Sequence, residues 1–137
     1  MIVADANLLA YLVLPGERTT EAEAVFARDP SWAVPLLWVS ELRSALGAYV
    51  RRGELRLAEA VAAIARAEGL VAGREAPVES RAVLELSRRS RCSTYDCEYV
   101  ALAMSLDVLL VTSDRQVLSA FPKVAITPAG FGDGVGP

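Results

Sequence analysis

Histidine is absent from this chain of 137 residues. Its absence removes the most frequent general base at neutral pH and the most frequent ligand of transition metals. Cysteine is limited to Cys92 and Cys97, which cannot build a four-ligand zinc site alone. They read instead as reduced thiols, one in a loop and one in a helix core. Lysine occurs once, at Lys123, so nearly all positive charge is arginine, which suits phosphate contacts and also follows from codon bias. Long uninterrupted apolar runs are missing too, which excludes a helical membrane span. Met1 runs straight into Ile2-Val3-Ala4 with no leader, so a cytoplasmic location and no membrane partner are expected.

What is present points to a folded domain. Hydrophobic residues make up 53% of the chain, too many for disorder, and the length is that of one ordinary domain, spanning residues 1–137. A net charge of −3 argues against a wholly basic nucleic-acid surface and leaves room for a local basic patch.

Short apolar runs alternate with helical periodicity. Met1–Ala4 predicts a strand, with Asp5 at its exit and Asn7 two residues on; Leu8–Leu12 predicts a helical turn stopped near Pro15-Gly16. A helix opens at Thr19 or Thr20 and reaches about Arg28, and Ser31–Val34 reads as a second strand. Leu37–Arg52 and Glu54–Glu68 read as a helical hairpin, followed by a break over Gly69–Glu75 in which Leu70 and Val71 can be extended. Val78–Arg89 is another helix. Arg88, Arg89 and Arg91 at its end suit the helix dipole, and equally suit guidance of substrate phosphates.

The richest stretch is Ser93–Arg115. Ser93 and Thr94 are good N-caps, and Asp96 falls in the first helical turn. Apolar residues then occupy two sides of the helix, which predicts a sandwiched position. Val108–Val111 reads as a strand buried on both faces, with Thr112-Ser113-Asp114 at its exit. A short helix to Ala120, a strand over Val124–Thr127 and a loose Gly-rich tail over 128–137 complete the chain. The alternation predicts a three-layer α/β/α domain with a mostly parallel central sheet.

Four acids stand out. Asp5 and Asp114 lie at strand exits, where open α/β sheets collect ligands; Asp96 lies at a helix start; Glu41 sits on a stripe of small apolar residues. Taken singly, Asp96 and Asp114 read first as helix caps, Asp5 with Asn7 as an Asx turn, and Glu41 as a solvated glutamate. Taken together, they converge in one cleft if the strands of Asp5 and Asp114 are neighbours. Like charges there need a cation, and oxygen-only ligands point to Mg²⁺ or Mn²⁺. Such an ion activates water for phosphodiester cleavage without a side-chain base.

The order Asp5-Ala6-Asn7, Val39-Ser40-Glu41-Leu42, Thr94-Tyr95-Asp96 and Val111-Thr112-Ser113-Asp114 resembles the PIN-domain ribonucleases, especially VapC-type toxins of bacterial toxin–antitoxin pairs. The resemblance spans nearly the whole chain. It implies a PIN-like domain with catalytic and metal-binding roles for Asp5, Glu41, Asp96 and Asp114, and Asn7 and Thr112 as polar neighbours. It further implies a homodimer that needs Mg²⁺ or Mn²⁺, cleaves RNA, and is neutralised by a cognate antitoxin. Leu36, Leu37, Trp38 and the hairpin from Leu37 to Glu68 are then either antitoxin-facing surface or plain core. Cys97-Glu98 departs from the small or apolar residues common after the third acid.

Two other readings compete. A haloacid-dehalogenase-type phosphatase also uses an Asp after its first strand, but wants a second Asp where Asn7 stands and a lysine before its last acid, whereas Lys123 follows Asp114. A PIN-like module retained for RNA or protein binding without catalysis is expected to have lost acids.

Overall fold

Four of the five strands of the parallel sheet are apolar runs that the sequence marks as strands, and their alternation sets its two faces. The computed structural model describes residues 1–134. Its strands are β1 (Ile2–Ala4), β2 (Trp32–Pro35), β3 (Glu75–Ala76), β4 (Leu110–Val111) and β5 (Ala125–Ile126). They lie in the order β3-β2-β1-β4-β5, with every pairing parallel. The helices are α1 (Ala6–Val13), α2 (Thr19–Arg28), α3 (Trp38–Arg51), α4 (Leu57–Val71), α5 (Ser80–Ser90), α6 (Thr94–Leu106), α7 (Arg115–Ala120) and α8 (Pro128–Gly132).

Side chains alternate across a strand. Ile2, Ala4, Trp32, Val34, Val111 and Ile126 accordingly enter one core with residues of α1, α2, α3, α4 and α8. Val3, Ala33, Leu110 and Ala125 enter a second core with residues of α5, α6 and α7. This is the three-layer α/β/α arrangement, with a central sheet that is entirely parallel. No helix among the described residues is long and apolar enough to cross a membrane.

Several elements differ from expectation, each for a local reason. The turn expected over Leu8–Leu12 is the longer helix α1, because Asp5 caps it and Leu8, Leu9, Ala10 and Val13 all find the core. Leu70 and Val71 are helical rather than extended. Gly69 weakens α4, but Val71 is fully buried, and burial outweighs a glycine penalty of about 1 kcal/mol. The chain reverses at Gly73, whose φ of 78° suits glycine, and β3 follows as a two-residue edge strand inside the expected break. The middle of α6 is sandwiched, with Cys97 and Tyr99–Ala103 buried, whereas Tyr95, Met104 and Leu106 near its ends are exposed.

The tail is not loose from residue 128. Thr127 caps α8 by accepting from the Gly130 N–H at 3.0 Å, Pro128 opens it, and Phe131 is buried against α2. The Arg28 guanidinium lies 4.6 Å from the Phe131 ring centroid and donates to the Phe131 carbonyl. A Cβ on Gly132 would stand 3.2 Å from that of Ala24, so the close approach of α8 to α2 favours glycine there. Residues 135–137 lie outside the described residues. In the α3–α4 hairpin, Trp38 is core at 1% exposure, while Leu36 just before it is exposed.

Candidate metal centre

Each of the four acids sits at the N-terminal end of a helix on one edge of the sheet. Asp5 leaves β1 and is the N-cap of α1, its Oδ1 accepting from the Leu8 N–H at 2.8 Å. Asp114 follows β4 and is the N-cap of α7, its Oδ1 accepting from the Val117 N–H at 3.0 Å. Glu41 and Asp96 occupy the first turns of α3 and α6. Unpaired N–H groups make helix N-termini favourable for negative charge, so four such ends face the same set of carboxylates. The capping readings and the cluster reading therefore hold for the same atoms.

β1 and β4 are neighbours, Ala4 lying opposite Val111, and this brings Asp5 beside Thr112 and Asp114. Thr112 is buried and ties them: its Oγ1 donates to Asp5 Oδ2 at 2.6 Å and accepts from the Asp114 N–H at 3.1 Å. Asp96 is carried by α6, whose start is fixed by Ser93 accepting from the Asp96 N–H at 3.0 Å. Gln116 Nε2 donates to the Arg91 carbonyl at 3.3 Å, joining the loop before Asp96 to the helix after Asp114. The result is a pocket of about 300 Å³ lined by Asp5, Asn7, Glu41, Asp96, Thr112 and Asp114, with Tyr99 and Ser44 among its further walls.

Charge in the pocket is expensive. Asp5 keeps a small exposed fraction, but its carboxylate is hemmed in. Burial is the largest influence and pushes its pKa up from 3.8 to about 6; hydrogen bonds from Thr112 and Leu8 pull it down, and the charges of Glu41 and Asp114 push it up further. Burial also raises Asp96, helped by Asp114 and opposed by Ser93. Glu98, which the sequence marks only as a departure at the rim, is raised by burial and then by Glu41, so a further carboxylate bears on the site. Burial, then Glu41, hold the Tyr99 phenol well above its ordinary range.

The donor set is carboxylate, hydroxyl and amide oxygen, which fits a hard divalent cation and does not fit zinc. As the side chains stand, no three acidic groups among the described residues are close enough to hold one ion. The Asp5 and Asp114 carboxylates are partly engaged as caps, and like charges in one pocket repel. A divalent ion offsets the repulsion that keeps them apart.

Arg88, Arg89 and Arg91 are not among the residues that line this pocket. Arg88 and Arg89 line a separate groove between α5 and α6, and the Arg89 guanidinium lies 5.8 Å from the Phe121 ring centroid. The C-terminal turn of α5 does end beside the start of α6, Ser90 Oγ lying 3.9 Å from Cys97 Sγ, but Arg88 and Arg89 occupy the helix face that borders the groove with Ala101 and Met104. A cation that the sequence gives no reason to single out does reach the acidic loop. Arg18 Nη2 donates to Ser113 Oγ at 2.8 Å and to Glu21 at 3.0 Å, and its guanidinium lies 4.6 Å from the Tyr11 ring centroid. Ser113 is distant in sequence, so no local spacing signals that contact.

Thr112→Val is nearly isosteric and removes both hydrogen bonds of the hydroxyl. It is expected to destabilise the metal-free protein by about 2 kcal/mol at pH 7.5, because an ionised Asp5 loses its donor. The loss should shrink below about pH 6, where Asp5 is protonated. Thermal melts of both proteins across that range check it; an equal loss at pH 7.5 and pH 5 would assign Thr112 to packing alone.

Comparison with known proteins agrees with this geometry. Residues 2–125 match the family model described as "PIN domain". The chain is 31% identical to "Ribonuclease VapC3" of Pyrobaculum aerophilum over 131 residues, covering 93% of this chain and 98% of that protein. Among solved structures, PAE2754 from Pyrobaculum aerophilum aligns with a TM-score of 0.78 at 22% identity, covering 97% of this chain and 94% of the other. A toxin–antitoxin complex from Klebsiella pneumoniae aligns with a TM-score of 0.64 at 16% identity, covering 93% and 98%. At those identities the two structures speak for the fold.

Proposed function

The chain belongs to the PIN-domain family, and from that premise we propose that it is a divalent-metal-dependent endoribonuclease, the toxin of a toxin–antitoxin pair. The observation that carries the reading is the gathering of Asp5, Glu41, Asp96 and Asp114, from four separate helix starts, around one pocket at the exits of adjacent parallel strands. The relative named as a ribonuclease supports the reaction class, and the structure named as a toxin–antitoxin complex supports the biological role. Family membership sets aside the phosphatase alternative.

In this reading Asp5, Glu41, Asp96 and Asp114 hold Mg²⁺ or Mn²⁺. The bound ion supplies Lewis acidity and lowers the pKa of its water, which is the chemistry a site without histidine needs. The chain's own groups do the rest. Thr112 keeps Asp5 ionised and oriented by donating to Oδ2. Asn7, exposed at the rim, offers an amide donor to a phosphate oxygen. The buried walls, including Leu110 and Val117, limit water around the acids. Arginine of an antitoxin segment is the natural competitor for the same carboxylates.

The test is cleavage of structured RNA by purified protein with Mg²⁺ or Mn²⁺. Cleavage is expected in wild type and absent in Asp114→Asn, with no phosphate released from a simple phosphomonoester. RNA binding without cleavage would instead make the chain a non-catalytic module, and cleavage undiminished in Asp114→Asn would sink the site assignment.

A further inference from the structure

Tyr99 is the pocket residue that neither the caps nor the acids explain. It stands three residues after Asp96 on α6, hence on the same helix face. Its side chain is 4% exposed and lines the acidic pocket. Its hydroxyl oxygen is buried and has no hydrogen-bond partner of good geometry. Buried hydroxyls without partners are costly, and phenylalanine would fill the same space at no such cost. The neighbouring acid that bears most on this hydroxyl is Glu41, from α3, with Asp5 beyond it and the Ala6 backbone beside it. Asp5 and Asp114 are pinned by their caps, whereas Glu41 reaches the pocket on a longer side chain from a first-turn position.

We propose that Tyr99 is a positioning residue for Glu41: when Glu41 turns toward a divalent ion in the pocket, the Tyr99 hydroxyl donates to the carboxylate oxygen that faces away from the ion. The proposal rests on the metal-dependent reading above. A donor behind a ligating carboxylate fixes its rotamer and strengthens the ligand. Without the ion, Glu41 already stands close to the hydroxyl but short of good hydrogen-bond geometry, and its turn toward the ion completes the bond.

The experiment is a double-mutant cycle of Tyr99→Phe and Glu41→Ala read by Mn²⁺ titration calorimetry, with melting in EDTA and RNA cleavage measured on the same proteins. Tyr99→Phe is expected to weaken Mn²⁺ binding by roughly tenfold or more. It should melt in EDTA no lower than wild type and lower kcat more than it changes KM. In the Glu41→Ala background, which has no acceptor for the hydroxyl, the same substitution should change Mn²⁺ affinity by less than about twofold, because its effect passes through Glu41. Unchanged Mn²⁺ affinity in Tyr99→Phe overturns the proposal, as does an equal loss in both backgrounds. A lower melting temperature in EDTA overturns it as well, since the hydroxyl would then be satisfied without the ion. If wild type itself binds no Mn²⁺, the metal-dependent reading falls and takes this one with it; if wild type binds and Tyr99→Phe binds equally well, only the role of Tyr99 falls.

Discussion

Asp5→Asn is expected to abolish RNA cleavage while raising the melting temperature of the metal-free protein near neutral pH. The stability gain follows from the folded-state pKa of about 6 against 3.8 for the ordinary carboxyl, caused first by burial and then by Glu41 and Asp114. Between those two values the folded state binds more protons than the unfolded state. The contribution of Asp5 to stability is therefore fully present below pH 3.8 and falls as pH rises to about 6. Above that, the ionised group costs about 3 kcal/mol. Asparagine has no charge to bury and keeps an oxygen for the Leu8 N–H, so the cap survives. It loses part of the contact with Thr112, which offsets some of the gain. A net gain of about 1–2 kcal/mol, or about 3–8 °C, is expected at pH 7.5 in EDTA, closing toward zero near pH 4. A variant that melts below wild type at both pH values would show that Asp5 carries no ionisation cost.

Divalent ions are expected to reverse that pH dependence in wild type. Mn²⁺ or Mg²⁺ at a hundred times its Kd should stabilise the folded protein by about 2.7 kcal/mol, and excess EDTA should remove both the gain and the cleavage. Binding must displace the proton that Asp5 holds below pH 6, so metal titrations at pH 5.5 should release about one proton, and titrations at pH 8 almost none. Calorimetry in two buffers of different ionisation enthalpy counts those protons. Asp114→Asn and Asp96→Asn should each shrink the metal-induced gain, because each removes one opposing charge and one ligand. Metal that stabilises all three proteins equally, with no proton released at either pH, would mean that these acids do not share an ion.

The sheet was legible because parallel strands buried on both faces leave short continuous apolar runs, as at Ile2–Ala4 and Trp32–Val34. The strand β3 was not, because two residues at an edge, one of them the exposed Glu75, carry no burial pattern. The helix α8 was hidden by its glycines; what orders it is Phe131 against α2, a contact without local signature. In the site, Asp5, Asp96 and Asp114 announce themselves at strand exits and helix starts, whereas Glu41 on spacing alone looks like any solvated glutamate. Only the pairing of β1 with β4 and the packing of α3 bring it into company. Arg18 at Ser113 and Glu98 near Glu41 depend on tertiary approach, and no single-sequence pattern reports either.

The central strand of the sheet is the first to be made and must wait for one of the last. β1 pairs with β2 and also with β4, and Thr112 reaches back across 107 positions to hold Asp5. A ribosome adding about 5–20 residues per second needs roughly 5–20 s to travel from Asp5 to Asp114. Throughout that interval the nascent chain holds at most part of the acidic set, and β1 has an open edge. Under the proposed ribonuclease reading, the site is thus incomplete throughout that interval, and the nascent chain cannot cleave its own message before Thr112 and Asp114 have been added.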